Sequence, residues 1–207
     1  MGDRGLTRIA GVDEVGRGPL AGPVLAAAVV LPEALPPDGL ELLRDSKQLS
    51  AGQRERAAEY IREHAVTCGF ALTDAAEIDA LGIVPATRQA MKRALSGLVE
   101  VPDHVLVDAV HIPDLSVPQE SLIKGDSVCR SIAAASIIAK VERDRLMAEQ
   151  YDGEHPGYGF ASHKGYGTAR HLAALTRLGP TPIHRRSFAP VRRAIFESGL
   201  WPDLPDR

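Results

Sequence analysis

Four carboxylates occupy positions where a folded sheet can bring them together. Asp13 and Glu14 interrupt an apolar run near the end of a predicted strand, Asp108 ends a second short strand, and Asp126 precedes the strongest helical pattern. Strand ends and a helix start converge easily at one edge of an α/β sheet. Carboxylates without His or Cys favour Mg²⁺ or Mn²⁺ over zinc. Two such ions, about 4 Å apart, would activate water and stabilise the leaving oxygen of a phosphodiester.

Each of these acids also has a purely structural interpretation. The aspartate before the long helix can cap it, and the one that ends the second strand can belong to a turn. Asp13 and Glu14 can form ion pairs with Arg17 or Lys47. Adjacent strand residues point to opposite faces, so the pair shares a metal site only if the strand ends or bulges there. The sequence leaves these alternatives open.

The charge of the chain is unevenly distributed. The net charge is −3, yet residues 155–193 contain no acid and hold seven Lys or Arg and four His. Such an asymmetry predicts a polyanion-binding surface, and a solvated basic helical face is the alternative. The spacings of the four histidines match no metal pair on one helix face, which favours surface or phosphate-adjacent histidines over zinc ligands.

Strand and helix patterns alternate through the first 150 residues, and only helices follow. This order predicts an α/β fold with a mixed sheet flanked by helices over residues 1–150, and a helical C-terminal region over 151–207. Because the acids lie in the first part and the basic segment in the second, we expect a catalytic core followed by a basic region that completes a nucleic-acid cleft. The predicted strands are 8–15, 24–31, 66–72, 104–110 and 119–123. The predicted helices are 53–64, 75–98 with an interruption at 82–85, 127–150, 168–178 and 190–198.

Composition excludes several other classes of protein. A chain of 207 residues with 44% hydrophobic residues builds its own core as one domain. Cys68 and Cys129 form no C-x-x-C pair, and free thiols are expected. The longest apolar run, residues 24–31, is too short to span a membrane, so a cytoplasmic protein is expected.

The glycines that follow the first strand require a separate explanation. Gly16, Arg17 and Gly18 begin a formal match to the dinucleotide fingerprint, but Pro19 and Pro23 flank it and a strand pattern follows. A nucleotide-dependent oxidoreductase is therefore disfavoured. The glycines instead allow backbone groups to approach a sugar or phosphate closely.

Several ordered motifs together resemble the ribonuclease HII family. Residues 11–24 read GVDEVGRGPLAGPV, and the resemblance continues along nearly the whole chain, through DSKQLS at 45–50, VDA at 107–109, KGD at 124–126, SIAAASIIAK at 131–140 and HKGYGT at 163–168. The resemblance implies a ribonuclease H-like fold and hydrolysis of the RNA strand of RNA–DNA hybrids. It also implies incision 5′ to single ribonucleotides in duplex DNA, leaving a 3′-hydroxyl and a 5′-phosphate.

The resemblance also implies roles for individual residues. The family's metal ligands fall on the four carboxylates named above, with Mn²⁺ or Mg²⁺ as cofactor. The backbone of Gly16, Arg17 and Gly18 would read the ribose 2′-hydroxyl, which distinguishes RNA from DNA. Tyr166 would stack against the sugar on the DNA side of the junction, although packing is the commoner role for a tyrosine among glycines. Lys47 would contact a phosphate or the active site.

Expected partners are RNA–DNA hybrid and ribonucleotide-containing duplex DNA, bound by a monomer. In the basic segment, the residues expected to contact the nucleic-acid backbone are Lys164, Arg170, Arg185 and Arg186. The tail, residues 199–207, does not resemble the sliding-clamp peptide of some relatives, so the sequence leaves a clamp partner in doubt. The rival hypothesis is a non-catalytic nucleic-acid-binding module with a structural acidic cluster.

Overall fold

A five-stranded mixed sheet forms the centre of the computed structural model, which describes residues 7–36, 39, 43 and 49–197. The strand order is β3-β2-β1-β4-β5; β1 pairs antiparallel with β2 and parallel with β4. The strands are β1 (Ile9–Val15), β2 (Val24–Val30), β3 (Thr67–Thr73), β4 (His104–Asp108) and β5 (Gln119–Leu122).

Helices cover both faces of this sheet. They are α1 (Ala51–His64), α2 (Ala75–Leu81), α3 (Ile83–Ser96), α4 (Gly125–Val128), α5 (Arg130–Arg145), α6 (Asp152–Glu154), α7 (Phe160–His163), α8 (Ala169–Leu178) and α9 (Ala189–Glu197). A π-helical segment, Leu146–Tyr151, joins α5 to α6. The arrangement confirms the predicted α/β class with a mixed sheet.

Strand β2 divides the core into two layers. All seven of its residues are buried, because helices cover both of its faces. Val24, Ala26 and Ala28 pack with α2 and α3, whereas Leu25 and Ala27 pack with α1 and α5. The continuous apolar run in the sequence is therefore a central strand.

Helix α5 lies unusually close to β1. A Cβ atom on Gly11 would lie 2.1 Å from the carbonyl carbon of Ser131, so only glycine fits at this position. The run of small residues from Ala133 to Ala135 on α5 is buried and permits the same close approach. This contact fixes α5 against the strand that carries Asp13 and Glu14.

The prediction of one long helix over residues 127–150 is wrong: two helices and a π-helical segment cover this range, and the first begins at Gly125. The helix is interrupted at Cys129, whose extended backbone (φ −128°, ψ 120°) separates α4 from α5. A π-helical segment follows α5. Asp126 lies in the first turn of α4, and the position before α5 is Cys129. The alternative role of Asp126 as a cap of the long helix is therefore wrong.

The basic C-terminal segment packs onto the first half of the chain. Asp79 on α2 accepts hydrogen bonds from the backbone N–H groups of Arg186 (2.8 Å) and Ser187 (2.9 Å). An isolated antiparallel bridge pairs Ala21 with His184. Cys68 and Cys129 are free thiols, as expected. Among the described residues, no helix combines the length and apolar character needed to cross a bilayer.

Three of the four histidines in the basic segment are buried: His163, His171 and His184. The rings of His163 and His171 stack with centroids 4.6 Å apart, and Phe160 packs against this cluster. The expectation that these histidines lie at the surface is wrong, because aromatic packing and backbone hydrogen bonds hold them inside.

Candidate active site

A cavity of about 330 Å³ lies at the end of β1. It is bounded by residues from β1, β4, α1, α5 and the loop after α7, so distant parts of the sequence meet there. Its lining residues are Asp13, Glu14, Val15, Arg54, Asp108, Ser136, Lys140 and Tyr166. The structure thus brings three of the four predicted carboxylates, and Tyr166, to one place.

Asp13 and Glu14 reach this cavity although they are neighbours on one strand. They lie in the last three residues of β1, and the chain turns directly afterwards at Gly16, whose φ is +95°. The backbone N–H of Glu14 donates to Oδ1 of Asp13 over 2.7 Å. The strand therefore ends close to Asp13 and Glu14, which is the condition stated above for the two side chains to share one site.

Burial makes ionisation of both carboxyl groups costly. It is the main cause that raises the pKa of Asp13 to about 8, and the neighbouring charges of Glu14 and Asp108 add to the shift. A hydrogen bond with Ser136 acts in the opposite direction. Burial also raises the pKa of Glu14, while the charge of Arg17 partly offsets the shift. A cation placed between these groups would remove much of that cost.

The ion pair between Glu14 and Arg17 is present, but it involves only one carboxylate oxygen of Glu14. Arg17 Nη1 lies 3.5 Å from Glu14 Oε1, and the Arg17 side chain is 44% exposed. Glu14 Oε2 is buried and has no hydrogen-bond partner among the described residues. The ion pair therefore leaves one carboxylate oxygen of Glu14 without a partner.

Asp108 and Asp126 are linked through Gly125, the first residue of α4. The backbone N–H of Gly125 donates to Oδ1 of Asp108 over 2.7 Å. Asp126 follows Gly125 in the chain, and only 4% of it is exposed. The short helix α4 thus places Asp126 beside the end of β4, although Asp126 does not line the cavity itself.

The residues present suit a hard divalent cation. In the described part of the chain, no group of three Asp, Glu, His or Cys side chains lies close enough together to hold one ion. The donors that face the cavity are nevertheless carboxylate oxygens, and one of them, Glu14 Oε2, is buried without a partner. Oxygen donors of this kind fit Mg²⁺ or Mn²⁺.

Sequence reasoning missed three polar residues of the cavity. Ser136 and Lys140 lie one turn apart on the same side of α5, and Arg54 belongs to α1. Nζ of Lys140 donates to Oδ1 of Asp144 over 2.8 Å. The i, i+4 spacing of Ser136 and Lys140 within a helix of small residues was the available signal.

The glycine loop, residues 16–18, follows β1 and lies beside Tyr166. A Cβ atom on Gly18 would be 3.8 Å from Cε1 of the Tyr166 ring, and Tyr166 is 41% exposed. The loop and the ring thus form one wall next to the carboxylates. Lys47, predicted to contact a phosphate, lies outside the described residues.

Of the four basic residues predicted to contact a nucleic-acid backbone, one is buried. Arg170 and Arg186 are exposed and Lys164 is partly exposed, so all three remain available. Arg185 is fully buried, and its guanidinium donates to backbone carbonyls. The predicted surface contact by Arg185 is therefore wrong.

Comparison with protein families gives one match that spans most of the chain. The model of the family described as Ribonuclease HII matches residues 10–191. A protein named Ribonuclease HII from Enterococcus faecalis is 55% identical over 192 residues, which cover 93% of this chain and 73% of that protein. A protein of the same name from Geobacillus thermodenitrificans is 56% identical over 191 residues, covering 92% and 72%.

The solved structures include a similar fold. The crystal structure of ribonuclease H2 from Pyrococcus horikoshii superposes with a TM-score of 0.78 at 27% identity. The match covers 92% of this chain and 98% of the other. The mixed sheet with flanking helices is thus ribonuclease H-like, as the sequence motifs implied.

Proposed function

The chain belongs to the ribonuclease HII family and is a ribonuclease H acting on RNA–DNA hybrids; we propose that it also incises duplex DNA 5′ to a single embedded ribonucleotide. The cut would be a two-metal-ion hydrolysis that leaves a 3′-hydroxyl and a 5′-phosphate. The observation that carries this proposal is the convergence of Asp13, Glu14 and Asp108 on a cavity bounded by Tyr166.

The carboxylates of the cavity would hold the metal ions. Asp13, Glu14, Asp108 and Asp126 are the proposed ligands, and Mn²⁺ or Mg²⁺ bound there would supply an activated water and neutralise charge on the leaving oxygen. The clustering of three of these acids in one cavity supports the assignment. The unpartnered Oε2 of Glu14 supports it as well.

The wall formed by the glycine loop and Tyr166 would recognise the ribonucleotide. Backbone groups of Gly16, Arg17 and Gly18 would bind the 2′-hydroxyl, and the Tyr166 ring would stack on the following deoxyribose. The ring of Tyr166 lies 3.8 Å from the position that a Gly18 Cβ would take, and this closeness of ring and loop supports their acting on the same nucleotide step. We also propose Lys47 as a phosphate contact.

The phosphate backbone of the duplex would lie on the exposed basic residues of the C-terminal region. Lys164, Arg170 and Arg186 are the proposed contacts, and their binding should weaken as salt rises. A non-catalytic binding module, the rival hypothesis, would share this surface and this salt dependence. It would not share the metal-dependent cut.

A labelled duplex with one ribonucleotide, and an all-DNA duplex of the same sequence, test the proposal. With Mg²⁺ or Mn²⁺, the protein should nick the first duplex immediately 5′ to the ribonucleotide and leave the second intact. Asp13→Asn should abolish nearly all nicking while binding in Ca²⁺ persists. Asp114→Asn is the matched control, because Asp114 is an exposed aspartate outside the cavity.

Two results would contradict the proposal. Binding without any metal-dependent product would favour the non-catalytic module. Full nicking by Asp13→Asn would remove Asp13 from the ligand set even if the wild-type protein cuts as expected.

A further inference from the structure

Two buried arginines lie under the glycine loop. Arg143 on α5 and Arg185 before α9 are both 0% exposed. Among the described residues, neither side chain forms a salt bridge. Burying an unpaired cation is costly unless its hydrogen bonds are satisfied. Both guanidinium groups are instead bonded to main-chain carbonyls of the loop between β1 and β2.

Arg185 holds the start and the end of that loop together. Its Nη2 donates to the carbonyl of Gly16 (2.5 Å), its Nη1 to that of Arg17 (2.9 Å) and its Nε to that of Gly22 (3.0 Å). The side chain comes from a residue more than 160 positions later in the sequence. The C-terminal region therefore shapes a loop of the catalytic core.

Arg143 joins the same loop to the segment that carries Tyr166. Its Nε donates to the carbonyl of Pro23 (2.9 Å) and its Nη1 to that of Lys164 (3.0 Å). A direct backbone hydrogen bond from Leu20 N–H to Gly165 O (2.8 Å) reinforces this link. The glycine loop and the segment that carries Tyr166, which together form the wall beside the carboxylates, are thus fixed to each other.

The carbonyl contacts determine where the loop's amides point. In a trans peptide the C=O of one residue and the N–H of the next are antiparallel. Because the carbonyls of Gly16 and Arg17 face Arg185, the N–H groups of Arg17 and Gly18 point away from it. Among the described residues, neither N–H has an acceptor. Two free donors are therefore held beside the ring of Tyr166.

We propose that Arg143 and Arg185 are positioning residues for ribonucleotide recognition: they hold the Arg17 and Gly18 amides in the orientation that binds a 2′-hydroxyl. This inference rests on the proposed function and assigns the selectivity for ribose to side chains that never touch the substrate. Their positive charges lie directly behind the loop and would also favour the adjacent phosphate.

The electrostatic environment agrees with a role beyond packing. Burial, with the nearby charge of Arg143, lowers the pKa of Arg185 to about 9, and burial lowers the pKa of Arg143 as well. Arg185 therefore stays charged at neutral pH. A buried cation costs stability, and an anionic ligand on the loop would recover part of that cost.

The test is the ratio of the dissociation constant for all-DNA duplex to that for the ribonucleotide duplex, measured in Ca²⁺. Arg185→Gln should lower this ratio about tenfold, because the loop amides lose their fixed orientation. Partial unfolding alone would weaken both affinities equally and leave the ratio unchanged. Arg145→Gln is the matched control, since Arg145 lies on α5 at the surface and pairs with Glu55.

Arg185→Lys provides a second variant that keeps the charge but loses the planar fork of donors. It should give a ratio between those of wild type and Arg185→Gln, and an unchanged ratio in either folded variant would overturn the inference. In the wild-type protein, the Nε–H resonances of Arg143 and Arg185 should shift with the ribonucleotide duplex and not with all-DNA duplex. Identical spectra with both would also overturn it.

The two levels of the proposal fail in different ways. A wild-type ratio close to one would contradict the proposed function, because the protein would not recognise the ribonucleotide at all. A selective wild type whose Arg185 variants keep full selectivity would contradict only the role of the buried arginines.

Discussion

Nε2 of His171 lies 3.0 Å from Nε2 of His184 in the buried interior of the C-terminal region. Thr181 N–H donates to Nδ1 of His184, so the proton of a neutral His184 is on Nε2 and is donated to His171. Nδ1 of His171 then donates to the backbone carbonyl of Tyr166 over 2.9 Å. This chain of hydrogen bonds requires both rings to be neutral, and it ends at the main chain of Tyr166.

Acid should therefore destabilise the protein through His184. Burial, together with the charges of neighbouring histidines, lowers the pKa of His184 to about 3, and burial lowers the pKa of His171. The unfolded chain then binds more protons than the folded one between about pH 6.5 and 3, so the free energy of unfolding decreases as the pH falls through that window. Each such group contributes at most about 1.4 kcal/mol per pH unit.

Urea unfolding at several pH values checks this prediction. His184→Gln should show a weaker loss of stability between about pH 7 and 5 than the wild type. His111→Gln, at an exposed histidine, should follow the wild-type pH dependence. Equal slopes for wild type and His184→Gln would mean that His184 does not resist protonation.

The contact between Gly11 and Ser131 predicts a large effect from one methyl group. Gly11→Ala would place a Cβ 2.1 Å from the Ser131 carbonyl carbon, and neither backbone can move without separating β1 from α5. We expect a loss of at least about 2 kcal/mol in the free energy of unfolding. Gly153→Ala should be nearly neutral, because no atom lies within 4 Å of the position that its Cβ would take. Denaturant titration of both variants measures the difference.

Tyr166 should act through its ring. Tyr166→Ala should reduce incision at a single ribonucleotide by about tenfold, because the contact between the ring and the deoxyribose is lost and a loss of about 1.4 kcal/mol in transition-state stabilisation is tenfold in rate. Tyr166→Phe keeps the ring and should retain most of the activity. Cleavage of long RNA–DNA hybrid by the same variants gives the comparison. Small, equal losses by Tyr166→Ala on both substrates would argue against stacking at the junction.

The sequence is sufficient to predict the sheet and the approach of three acids to one cavity. Asp13, Glu14 and Asp108 stand at strand ends, and strand ends are recognisable because apolar runs stop there. Asp126 resembles a cap of the long helix because the helical pattern continues across Cys129. The break at Cys129 depends on how α4 packs against β4, which a local pattern does not contain.

The buried polar interior of the C-terminal region cannot be predicted in the same way. A segment rich in Arg and His without acids resembles a surface, which is where the sequence places Arg185 and His184. Their partners are carbonyls and rings supplied by remote loops, such as Gly16 and Gly22 for Arg185. Backbone carbonyls exist at every residue, so the sequence carries no mark of the ones that will bind a guanidinium.

The hydrogen bond between Ser136 and Asp13 predicts a role for a residue outside the sequence-predicted site. Ser136 lines the cavity from α5, and its contact favours the ionised form of Asp13. Ser136→Ala should weaken Mn²⁺ binding about tenfold, because groups that orient a metal ligand commonly contribute that much. Ser131→Ala is the matched control: that hydroxyl is equally buried on the same helix but contacts Cys129. Calorimetric titration with Mn²⁺ compares the two, and equal affinities would show that the Ser136 hydroxyl does not orient Asp13.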